Sequence, residues 1–237
     1  MIANLSELRV LRLSRHRLTK ETIQTIITLL NLKSFWFRCR EMSSSLMQEM
    51  AKNQKQLTDL QIYFSRFVEY KRFTKVVIFE SVRHLFIQNP KMSPNYFEQI
   101  VGMFPNINKF EYLLWNSIQY EDDEEDLNCE TCLYKTFEAI PRLQSLRYLG
   151  TCFKFYGKKL FECLDRLPNL SYLRISCDHY LCLRIQSDIQ EIIDYLISIC
   201  ESNPQRLIKF KLDCNHFYFP SGFKRPRNLK IIGTIFE

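Results

Sequence analysis

The sequence predicts an α/β solenoid, with parallel strands along a concave face and helices along the convex one. Three observations predict it. A short pattern, apolar-x-x-apolar-x-apolar, recurs along the chain. The first five copies begin at positions 8, 32, 57, 82 and 107, so these units are 24 or 25 residues long. Between copies lie stretches whose apolar residues fall at helical spacing, i, i+3, i+4, i+7.

The strand copies read Leu8-Leu11-Leu13, Leu32-Phe35-Phe37, Leu57-Leu60-Ile62, Val82-Leu85-Ile87 and Ile107-Phe110-Tyr112. They continue as Leu143-Leu146-Tyr148, Leu170-Leu173-Ile175 and Leu207-Phe210-Leu212, with a degenerate ninth copy at Leu229 and Ile232. The last two apolar residues of each copy lie two apart, so they share one face of a strand and the residue between them faces the other way. The later steps are 36, 27, 37 and 22 residues. The 36-residue step holds the acidic run Glu121–Asp126, read as a loop insertion near 117–129. The 37-residue step holds a longer helix around Ser187–Glu201.

Helices are predicted over Thr22–Leu30 (Ile23, Ile26, Ile27, Leu30), Pro94–Phe104 (Phe97, Ile100, Val101, Phe104) and Ile189–Ser198 (Ile189, Ile192, Ile193, Leu196). Pro94 suits a first helical turn, with Ser93 before it as N-cap. Pro105, Pro141, Pro168 and Pro204 each lie shortly before the next strand copy, where a helix must stop. A strand and a helix of this size cannot bury their apolar faces alone, so the units must stack. The expected arrangement is one domain over 1–237, made of about eight or nine repeats.

Composition narrows the function. Hydrophobic residues make up 46% of the chain, enough for one continuous core. With only 5 Gly, and with no GxGxxG or GxxxxGK[ST], a glycine-built phosphate cradle is not supported. No GxSxG or HExxH occurs, and the expectation is a non-enzyme without a cofactor. Cys129-x-x-Cys132 has zinc-like spacing but no second pair to complete four ligands, so no metal site is expected. Nine cysteines, an odd number and scattered, do not resemble a secreted disulfide framework. The start of the chain lacks an apolar stretch of signal-peptide length, and no apolar run is long enough for a membrane span. The expected compartment is cytoplasm or nucleus.

The segments LRVLRLSRHRLTKETIQTIITLL and VRHLFIQNPKMSPNYFEQIVGMFP resemble the cysteine-containing type of leucine-rich repeat: strand, turn, a Ser or Thr near the helix start, then a helix ending near Pro. This subtype is typical of F-box/leucine-rich-repeat proteins, the substrate adaptors of cullin–RING ubiquitin ligases. The resemblance implies a horseshoe solenoid and a substrate-recognition arm. The chain departs from the type in two ways. The usual Cys or Asn after the strand is mostly missing, with only Asn89 and Cys39 near that place. No F-box precedes the repeats, and the chain opens almost inside one, at Leu5 or Leu8, so the expectation is either the C-terminal part of a longer protein, the favoured reading, or a first repeat capped by something else. Contact with the cullin core is expected only if an F-box lies upstream.

The strand frame also predicts which side chains line the concave face. The central column is Arg12, Trp36, Gln61, Phe86, Glu111, Arg147, Arg174 and Lys211, flanked by residues that include Arg38, Tyr63 and Tyr172. Aromatic side chains at such positions anchor interfaces. The candidate contact residues are Arg12, Trp36, Arg38, Tyr63, Phe86, Arg147, Tyr172, Arg174 and Lys211. The net charge is +7, and the acidic run alone holds six of the 26 carboxylates, so the rest of the chain is more basic still. Arginines among aromatics suit an acidic or phosphorylated protein segment. The second reading is an RNA-binding or general scaffold protein, which the scattered basic residues favour less.

Overall fold

The computed structural model describes residues 7–29, 31–39, 43–64, 77–88, 94–113, 137–152, 157–176, 186–213 and 224–233. Among them runs one nine-stranded sheet whose strands lie side by side in chain order, every neighbouring pair parallel. The strands are β1 (Val10–Leu18), β2 (Ser34–Cys39), β3 (Asp59–Phe64), β4 (His84–Gln88) and β5 (Lys109–Leu113). They continue with β6 (Tyr148–Cys152), β7 (Tyr172–Ser176), β8 (Ile208–Asp213) and β9 (Leu229–Gly233). The described residues between them include the helices α1 (Lys20–Leu29), α2 (Ser44–Asn53), α3 (Pro94–Met103), α4 (Gly157–Asp165) and α5 (Gln186–Ser202). A 3-10 turn, Ile140–Arg142, precedes β6. The architecture is solenoid-like, because each strand pairs only with the strands of adjacent units.

The predicted periodicities become one core. Phe35, Phe37, Leu60, Leu85, Ile87, Phe110, Leu173 and Phe210 are buried on one face of the sheet. They join Ile23, Ile26 and Ile27 of α1, Ile100 and Val101 of α3, and Ile189, Ile192, Ile193 and Leu196 of α5. Burying a side chain of this size contributes about 1.5–3 kcal/mol. The helices start where local chemistry allows. The Thr19 hydroxyl accepts from Thr22 N at 3.2 Å before α1, and Ser43 caps α2 by accepting from Leu46 N at 3.3 Å. Pro94 opens α3 as expected, while Ser93 lies outside the described residues. Helices α2 and α4 have no counterpart among the predicted spans, while α5 runs one residue beyond each end of the longer helix expected around Ser187–Glu201.

Successive units are tied by a repeated backbone device. The carbonyl just before each of the first six strands accepts two N–H groups from the next unit: Arg9 O from Lys33 and Ser34, Lys33 O from Thr58 and Asp59, and Thr58 O from Arg83 and His84. Arg83 O, Asn108 O and Arg147 O repeat it, the last accepting from Ser171 and Tyr172. Side chains reinforce the joints. Buried Gln54 donates to Ile27 O at 2.6 Å and accepts from Leu32 N at 2.8 Å. Asn228 donates to Cys200 O, Asn203 O and Arg206 O.

The sixth unit corrects the sequence frame. Lys109, Phe110 and Glu111 pair with Tyr148, Leu149 and Gly150, so the true copy is Leu146-Leu149-Thr151 rather than Leu143-Leu146-Tyr148. Leu146 N bonds Leu143 O, as Ile107 N bonds Phe104 O and Leu170 N bonds Leu167 O, which fixes the equivalence. Both frames fit the apolar pattern except at Thr151, which is why the wrong one was preferred. Leu143 is buried in the turn before the strand. Two smaller corrections lie near the end. Leu207 is 50% exposed and Ile208 is buried in its stead. In β9 the residue matching Phe210 is Ile231, not Ile232. The acidic run, Cys129 and Cys132 lie outside the described residues.

Candidate interaction face

The face of the sheet opposite the helices carries the candidate residues. Strand pairing aligns Arg12, Trp36, Gln61, Phe86, Glu111, Gly150, Arg174 and Lys211 in one row across β1 to β8. Arg12, Trp36, Phe86, Arg174 and Lys211 therefore stand where expected. Arg38 and Tyr63 pair one step further along their strands, and Tyr172 one step before. Arg147 does not belong to the row. The three-residue shift in the sixth unit moves it to the exposed residue before β6, where its carbonyl holds the next unit. Tyr148, expected to point inward, takes the place beside Tyr172.

From β3 to β8 the face carries a continuous ladder of charges. Asp59 Oδ1 lies 3.3 Å from His84 Nδ1, and His84 Nε2 lies 3.2 Å from Glu111 Oε1. Lys109 Nζ approaches Glu111 Oε1 at 2.8 Å, and Arg174 Nη1 reaches Glu111 Oε2 at 3.2 Å. The same guanidinium donates through Nε to Asp213 Oδ2 at 2.6 Å, and Lys211 Nζ sits 2.9 Å from Asp213 Oδ1. Gln61 Nε2 completes the Asp59 end at 3.2 Å. Both His84 nitrogens face carboxylates, so protonating the ring lets both donate, which favours the charged form.

The protonation equilibria follow. Burial pushes the Glu111 carboxyl up, but hydrogen bonds from His84 and Lys109 and their charges outweigh it and hold the group at about 2. Burial favours neutral His84, yet bonds to Asp59 and Glu111 raise its pKa above the ordinary 6.5. Burial and nearby Glu111 push the Tyr148 phenol up to about 12. A carboxyl held at about 2 is a weak base at neutral pH, so Glu111 is suited to fixing its neighbours rather than accepting protons.

From β1 to β4 the face is different in kind. The Arg12 guanidinium stacks over the Trp36 ring, 4.0 Å from its centroid. The rings of Tyr63 and Phe86 lie 5.1 Å apart at a 39° tilt. Trp36, Tyr63 and Phe86 are each partly exposed. Trp36 Nε1 is buried and has no hydrogen-bond partner among the described residues, so packing and the arginine hold the ring. At the other end Tyr148 and Tyr172 stack at 4.6 Å, with Lys109 Nζ 4.9 Å from the Tyr148 centroid.

Sequence reasoning found the arginines and aromatics but not the ladder. Glu111 stands in the predicted central column, Asp59, His84 and Lys109 share a register position beside it, and Asp213 lies on its other side, so alternating charge at matched positions was the available signal. The misframed sixth unit hid it by setting Arg147 between Glu111 and Arg174.

No protein-family model matches the chain, and no curated protein matches it. Among the described residues no helix is long and apolar enough to cross a membrane, and no group of three or more His, Cys, Asp or Glu is arranged to hold a metal ion.

Proposed function

We propose that this chain is a protein-binding repeat module of the leucine-rich-repeat type, curved as a horseshoe, that holds its partner on the face opposite the helices. The observation that carries the reading is the set of partly exposed aromatic residues, Trp36, Tyr63, Phe86 and Tyr172, on that face. Aromatic anchors in a rigid sheet bury area at little entropic cost on binding. The repeat resemblance supports the narrower role of substrate-recognition arm in an F-box-type ubiquitin ligase adaptor, acting without catalysis in cytoplasm or nucleus.

The test compares partners cross-linked to the wild-type chain in a cell extract with those held by a Trp36→Ala, Phe86→Ala, Tyr172→Ala variant. The variant is expected to keep cooperative unfolding and to lose partner recovery by roughly tenfold or more. Recovery equal to wild type overturns the reading. Loss of folding places these rings in the core and overturns the face assignment. Recovery of RNA, with affinity falling steeply as salt rises, favours the nucleic-acid alternative.

A further inference from the structure

We infer that the contact surface is the first half of the face, β1 to β4, and that its occupant is a peptide segment carrying carboxylates beside aromatic or other apolar side chains. The inference rests on the partner-binding reading and names where and with what chemistry it operates.

The cations on this face differ in whether the fold already engages them. Arg174 is engaged by Glu111 and Asp213, and Lys211 by Asp213. Lys109 and His84 are engaged by Glu111, and His84 also by Asp59. An acidic partner at β5 to β8 must break these pairs and leave a partly buried charge unmatched, which costs more than a surface pair returns. Arg174 and Lys211, expected to grip an acidic segment, are therefore spent within the fold.

Arg12 and Arg38 differ. Neither has an ion-pair partner among the described residues, and they stand on adjacent strands beside Trp36 and Tyr63. A guanidinium is weakly hydrated and planar, so it can accept a carboxylate in its plane while its face stays stacked on an indole. Tyr63 and Phe86 offer the apolar contact next to it. Lys209 and Lys230 on this face also have no ion-pair partner among the described residues; they are register neighbours on β8 and β9 and both exposed. An exposed ammonium is strongly hydrated and gains little from one more carboxylate.

The test measures fluorescence anisotropy of labelled polymers with the full chain near physiological ionic strength. The probes are a random glutamate–tyrosine copolymer, polyglutamate and a lysine–tyrosine copolymer. The glutamate–tyrosine copolymer is expected to bind saturably, roughly tenfold tighter than polyglutamate. Arg12→Gln with Arg38→Gln is expected to weaken it roughly tenfold, and Lys209→Gln with Lys230→Gln less than about twofold. Circular dichroism checks that both variants are folded. Equal binding of polyglutamate or of the lysine copolymer overturns the partner chemistry, as does the absence of saturable binding. A loss carried by the lysine variant overturns the location. None of these outcomes decides the cross-linking comparison above, which spans the whole face through Tyr172.

Discussion

Arg174 reaches Glu111 across an intervening strand: Nη1 to Oε2 is 3.2 Å, with β6 between them. Neighbouring strands are about 4.8 Å apart, so residues on β5 and β7 normally find a side chain in the way. Here the intervening residue is Gly150. A Cβ at that position would lie 3.0 Å from Glu111 Cγ and 3.3 Å from Tyr148 Cε1. The missing side chain is the condition for joining the two halves of the charge ladder.

Gly150→Ala is therefore expected to destabilise the fold by about 1–3 kcal/mol, because Glu111 must shift and its bond to Arg174 is strained or lost. Equilibrium urea denaturation checks it. A neutral or stabilising result would show that Glu111 moves aside freely and that the cross-strand pair contributes nothing.

Stability should be greatest between pH 4.5 and 6.5, the ordinary values of Glu111 and His84. His84 is raised in the fold, so its contribution is complete below 6.5 and is lost as pH climbs through the raised value. Glu111 is lowered, so its contribution is complete above 4.5 and is lost as pH falls toward about 2. Denaturation midpoints against pH should show both limbs. His84→Asn should flatten the alkaline limb. Glu111→Gln should shallow the acid limb and shift the His84 ring titration, followed by NMR, to lower pH.

Gln54 tests the joints between units. Its side chain is almost fully buried, and Gln54→Ala strands Ile27 O and Leu32 N at the boundary of the first two units. The expected cost is about 1–3 kcal/mol for each group left without a partner. Hydrogen exchange should quicken around Ile27 and Leu32 more than in β7 and β8, because those strands lie several units away and a repeat acts mainly on its neighbours.

The sequence carried the architecture further than the site. Strand copies at 24- and 25-residue steps, such as Leu57-Leu60-Ile62, admit one frame only, and the helix faces of α1, α3 and α5 repeat the same logic. Where a step lengthens, the pattern loses its ruler. Leu143, Leu146, Tyr148 and Leu149 satisfy two frames three residues apart, and only backbone pairing with β5 separates them. That ambiguity moved Arg147 onto the face and Gly150 off it. The ladder was illegible for the same reason, since ion pairs across strands depend on register. The exposed aromatics of β2 to β4 survived because their units are regular.

The most direct measurement is hydroxyl-radical footprinting of the wild-type chain, alone and with its cross-linked partner, read at the aromatic residues on both sides of the sheet. Protection is expected at Trp36, Tyr63 and Phe86, with Phe161 and Tyr195, stacked at 4.2 Å on the helix side, unchanged. Protection confined to Phe161 and Tyr195, with Trp36, Tyr63 and Phe86 as reactive as in the free chain, would contradict this expectation.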